Sequence, residues 1–201
     1  MKPLQSVAMG LVIVVLVARF HGYDALPDPV GWLLVLLGVR ALPAAVPHRD
    51  GLLGLGALAG LVAAVVWFPP VTEALYDADA SLAWAANLPE TLFAALLCHA
   101  LAAVADPAGD VKAARWLRLA RTGMLVVAVL PVLVFGAGLG SFEVTSYVAA
   151  GLALVLLICL LFTYAGRPWA LPATHTGDDP TGHPSTATGA APPEGGTAPE
   201  A

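Results

Sequence analysis

The sequence predicts an all-α fold, a polytopic bundle of transmembrane helices, and three observations predict it. The 201 residues are 59% hydrophobic and only 11% charged, whereas a soluble domain is nearer half apolar and a quarter charged. The apolar residues fall into six long runs, at about 4–20, 29–46, 52–68, 88–105, 121–139 and 144–164. Such runs are close to the ~20 residues that carry a helix across a bilayer. The basic residues are sorted by side, as membrane insertion requires.

The first run follows Lys2 and ends at Arg19-Phe20-His21 without a small-x-small cleavage site, so it reads as an uncleaved span rather than a signal peptide. The second begins at Asp28-Pro29, an N-cap residue followed by the proline that favours a first helical turn. Pro69-Pro70 closes the third run. Between Pro70 and Asn87, Val71, Leu75, Ala78 and Leu82 recur at helical spacing, which predicts a short helix lying on the outer surface. Strands are disfavoured, because the runs do not alternate and an open sheet leaves its backbone unsatisfied in lipid.

Charge sets the orientation. With the N-terminus inside, Lys2, Arg40, Arg49, Lys112, Arg115, Arg118, Arg121 and Arg167 all lie on the inner side, against Arg19 outside. Four of these, Lys112, Arg115, Arg118 and Arg121, recur every third residue before the fifth run. They form one stripe on a helical lead-in, placed among the anionic headgroups of the inner leaflet. A five-span alternative stays open, in which the run interrupted by Arg40 only dips into the membrane and the N-terminus moves outside. Six spans are favoured, because Arg40 is near enough to the inner end to snorkel. The expected organisation is a bundle over residues 1–166 and a cytoplasmic tail over 167–201. Residues 173–201 carry no aromatic and no aliphatic larger than Ala, so disorder is expected there.

The stretch His21-Gly-Tyr-Asp-Ala-Leu-Pro-Asp-Pro-Val-Gly-Trp32 carries the most distinctive pattern. Its Leu26-Pro27-Asp28-x-x-Gly31 resembles a motif after the first span of small, uncharacterised bacterial multi-pass membrane proteins. The resemblance implies a protein of the cell membrane and no particular activity.

Candidate chemistry is sparse. His21, Asp24 and Asp28 make one candidate cation or proton site, set against a plain proline-defined turn. Asp24, Asp28, Glu73, Asp77, Asp79, Glu90 and Glu143 make the outer side acidic. His99 lies inside the fourth run, and an ionisable group at that depth is a functional candidate by default. The bland alternative is a neutral imidazole hydrogen-bonded between helices. Cys98 and Cys159 are a candidate redox or interhelical polar pair. Gly56-x-x-x-Gly60 marks a smooth face for close packing, within the chain or against another copy. His48 is read as a loop residue, leaving His99 without a second histidine at its depth.

Nucleotide-binding, hydrolase, zinc-protease and kinase signatures are lacking. The basic residues are accounted for by topology, so no nucleic-acid partner, metal or cofactor is indicated. Three functions stay in play. The first is a non-catalytic packing or interaction protein, with the lipid bilayer, a second copy or another membrane protein as partner. The second is a small cation- or proton-linked transporter or channel. The third is an intramembrane redox or cofactor-binding protein.

Overall fold

A computed structural model describes residues 2–16, 19–20, 23–24, 28–78, 80–136 and 143–171. Seven α-helices make up nearly all of it. They are α1 (Pro3–Val15), α2 (Asp28–Arg40), α3 (Arg49–Val66), α4 (Pro69–Ala78), α5 (Ala80–Ala105), α6 (Val111–Gly136) and α7 (Glu143–Tyr164). The remaining regular pieces are a two-residue antiparallel ribbon, Arg19–Phe20 with Tyr23–Asp24, and a 3-10 turn at Pro168–Ala170.

Six helices form a ring. α1 packs on α2, α2 on α3, α3 on α5, α5 on α6, α6 on α7, and α7 returns to α1. α4 lies across one end, against α5 and α3. The other end carries the basic residues. The start and finish of the ring meet there: a Cβ built on Gly166 would stand 3.2 Å from the Lys2 ammonium.

Glycines let α1 and α2 approach backbone to backbone. A Cβ on Gly38 would come within 2.8 Å of the Val7 amide nitrogen, and Ser6 Oγ donates to the Leu34 carbonyl at 3.0 Å. The two helices therefore run antiparallel at one depth over their whole length. On α3, Gly56 and Gly60 instead make room for side chains, Leu36 and Phe93 at Gly56 and Trp32 at Gly60. The Gly56-x-x-x-Gly60 face is thus used inside the chain. Leu4, Leu11, Trp32, Leu52, Phe93, Leu97, Leu117 and Leu161 fill the interior.

Helix ends depart from the sequence expectations. α2 stops at Arg40 rather than 46, and α3 starts at Arg49. α1 and α2 have 13 residues each, ~20 Å at 1.5 Å per residue, against the ~30 Å of a bilayer core. α5 starts at Ala80, not 88, and carries Pro89 inside it. α6 is one helix from Val111, so the basic lead-in and the fifth apolar run are continuous. Among the described residues two helical stretches, Arg49–Val66 and Trp84–Ala105, are long and apolar enough by themselves to cross a membrane. Beyond α7, Ala170 is buried and Trp169 leans on Tyr164, ring centroids 6.1 Å apart. The tail from 172 onward lies outside the described residues.

The corner between α5 and α6 is tightly specified. Gly109 has φ +80°, Asp110 N–H donates to the Ala105 carbonyl at 3.0 Å, and Gly109 N–H donates to that of Asp106 at 3.0 Å. This is a glycine C-terminal cap. The next residue starts the following helix: Asp110 Oδ1 accepts from the Ala113 N–H at 3.2 Å. Asp110 Oδ2 receives Trp169 Nε1 at 3.3 Å and Arg167 Nε at 3.4 Å, which ties the end of the chain to this corner. These donors hold the Asp110 carboxyl below the usual carboxylate range, the Ala113 N–H contributing most.

Candidate functional site

Two polar groupings stand at opposite ends of α5. At the α4 end, a cavity of about 130 Å³ lies between α2, α3 and α5, with α4 across it. Asp28, Thr72, Asn87 and Glu90 supply its polar lining, and Val14, Trp32, Ala59 and Leu75 contribute to the apolar wall. Asp28 is there because α2 begins with it. Glu90 is there because α5 starts at Ala80, which sets this carboxylate almost three turns inside the helix. Trp32 lines the cavity and is backed by Phe93. Trp32 and Phe93 meet edge to face, centroids 5.3 Å apart and planes at 80°, and both are buried.

At the basic end, His48, His99 and Arg121 converge from the start of α3, from α5 and from α6. Arg121 Nη1 is 3.0 Å from His99 Nδ1. Arginine has only donors, so Nδ1 accepts and the imidazole proton sits on Nε2. The His48 ring stacks on that of His99 at 5.7 Å, with the planes 27° apart. His48 takes φ 58°, the left-handed region that histidine enters more readily than most non-glycine residues. The Arg121 Nε atom is buried with no hydrogen-bond partner.

The predicted site residues are thus partly regrouped. Asp28 joins Glu90 at the cavity. His21 lies outside the described residues, and Asp24 is described as the strand partner of Arg19. His99 is half-buried and engaged between helices, with Arg121 as its partner. His48 is a loop residue, as expected, and that loop folds its ring against His99. Cys98 is buried and Cys159 exposed, and both are free thiols. Within the basic stripe, Lys112 and Arg115 are exposed, Arg118 pairs with Asp106, and Arg121 turns to His99.

Glu90 and His48 were not singled out from sequence as partners of anything. Glu90 stood as one acid among several because the helix was expected to begin just before it. Among the described residues, no three of His, Cys, Asp and Glu gather as a metal site needs. No family model, curated protein or solved structure matches the chain, so its own geometry carries the functional reading.

Proposed function

We infer that the chain is a non-catalytic multi-pass protein of the cell membrane, and that its working part is the cavity beneath α4, which takes up a proton or a small cation. The observation that carries this reading is the convergence of Asp28 and Glu90, from two helices, on one cavity with Asn87 and Thr72 in its lining. Two carboxylates at close quarters favour a shared proton or a bound cation, because either one relieves their mutual repulsion.

In this reading all six ring helices insert in the membrane. Leu33, Leu37, Leu61, Val126, Val129 and Leu152 are exposed on their flanks, an apolar surface suited to lipid. Lys2 lies beside Gly166, which requires an even number of crossings between them. That supports six spans over five, with an N-terminus on the same side as the basic corner, the cytoplasmic side in this reading. The short α1–α2 pair is accommodated by local thinning of the bilayer and by Arg40 reaching out to the headgroups. The likeness of Leu26–Gly31 to the bacterial membrane-protein motif fits this reading.

A transport reading needs a polar path from the cavity to His99. Glu90 and His99 are nine positions apart on α5, about 14 Å, and buried Phe93, Ala94, Leu97 and Cys98 occupy that stretch. Binding is therefore favoured over conduction. Infrared difference spectroscopy across a pH titration, repeated with Na⁺ and with Ca²⁺, tests the reading. Wild-type protein should show a carboxyl signal that responds to pH or to one cation and is lost in Glu90→Gln. A spectrum identical in wild type and Glu90→Gln under all three conditions would sink it.

A further inference from the structure

Resting on the reading of the cavity beneath α4 as a proton or cation site, we propose that its occupant is a small organic ammonium ion, an amine with a short hydrocarbon body. The two sides of the cavity differ in chemistry. α3 brings only apolar groups to it, Ala59, Val62, Ala63 and Val66. α2 and α5 bring the acids, Asp28 and Glu90, with Asn87 one turn before Glu90. The Glu90 carboxyl lies deep in the protein at the cavity and, among the described residues, meets no hydrogen-bond donor; its charged neighbour is Asp28. A carboxylate enclosed without a donor is costly, and an ammonium N–H removes that cost.

Size and lining select among cations. The cavity of about 130 Å³ is several times what one water needs, and close to the ~150 Å³ that accepts a benzene ring. A bare inorganic ion would leave most of that room, and the whole α3 wall, to water. A pure hydrocarbon would cover the wall and leave the carboxylates without a partner. An ammonium group on a body of roughly four to six carbon atoms satisfies both sides. With one proton shared between Asp28 and Glu90, the pair carries a single negative charge, which one ammonium neutralises.

Isothermal titration calorimetry of the full chain in mild detergent provides the test, with ammonium, methylammonium, butylammonium and octylammonium chlorides and uncharged butanol as probes. Affinity should rise about fourfold per methylene from methylammonium to butylammonium, the gain from burying each one. It should fall at octylammonium, which outgrows the cavity. Butanol should bind about tenfold more weakly than butylammonium, or worse. Glu90→Gln keeps the shape of the side chain and should abolish butylammonium binding above the micelle background. Asp28→Asn keeps an N-cap residue and should weaken it about tenfold. Ala63→Leu fills part of the α3 wall and should weaken butylammonium more than methylammonium. Equal binding of ammonium and butylammonium, of butanol and butylammonium, or of butylammonium by wild type and Glu90→Gln overturns the proposal. If the Glu90-dependent infrared signal persists in that case, only the amine falls and the proton or small-cation reading stands; if that signal is absent as well, the reading falls with it.

Discussion

Gly10 and Gly31 touch through their backbones: a Cβ built on Gly31 would stand 2.7 Å from the Gly10 carbonyl oxygen. No rotamer relieves a clash with main chain. Gly31→Ala should therefore push α1 from α2 and destabilise the bundle by about 1–3 kcal/mol or more. Gly54, with nothing within 4 Å of its built Cβ, is the control. There alanine should be neutral or stabilising by up to about 1 kcal/mol, through helix propensity alone. Thermal unfolding in detergent compares the two, and equal effects would refute the close approach.

The Trp32–Phe93 contact behind the cavity gives a second expectation. Phe93 is fully buried against Trp32 and the Gly56 face. Phe93→Ala should cost about 3–5 kcal/mol and enlarge the cavity toward the middle of the bundle. Phe93→Leu should recover much of that loss. Unfolding midpoints of both variants, with quenching of tryptophan emission by a small polar quencher, report on the seal. Quenching that stays at the wild-type level in Phe93→Ala would show that Phe93 does not close the cavity.

Asp110 makes stability depend on pH in a defined direction. Its carboxyl is held below its ordinary value of 3.8 by the Ala113 N–H, with Trp169, Arg167 and Lys112 adding to it. The stabilisation is fully present above that ordinary value and is lost as pH falls through the depressed one. Asp110→Ala should therefore be less stable than wild type at neutral pH, and the gap should close in acid below 3.8. A gap that persists undiminished in acid would assign the effect to packing instead.

Orientation offers a fourth expectation. If the chain spans the membrane as proposed, the basic stripe of Lys112, Arg115, Arg118 and Arg121 faces an anionic inner leaflet, and each residue free to reach it would add about 1 kcal/mol of attraction. Replacing all four with Gln should scramble the side on which a C-terminal reporter is found. A reporter that stays wholly cytoplasmic would remove the stripe from its orienting role.

Helical character and the basic end were legible in the sequence, because both are properties of contiguous residues. Helix ends were less so. Pro89 after Asn87-Leu88 reads locally as a helix start, yet neighbouring helices supply the packing that tolerates a proline inside α5. That single override hid Glu90. The pairings that make the two polar groupings, Asp28 with Glu90 and His48 with His99, join residues distant in sequence on different elements, and no local period encodes them. The Asp106–Asp110 corner is the opposite case. A glycine directly before an aspartate, after an apolar run, is a stop followed by a start, and it was open to reading throughout.

The ring also has a history within each molecule. α1 leaves the ribosome first, and the partner that covers its second side, α7, leaves last. The opening hairpin must therefore wait with one flank uncovered through the synthesis of almost the whole chain. Closure comes only when the final helix slides between α6 and α1 and brings Gly166 to Lys2. A chain cut short before α7 would keep an open seam between α6 and α1, which makes α7 the latch of the ring.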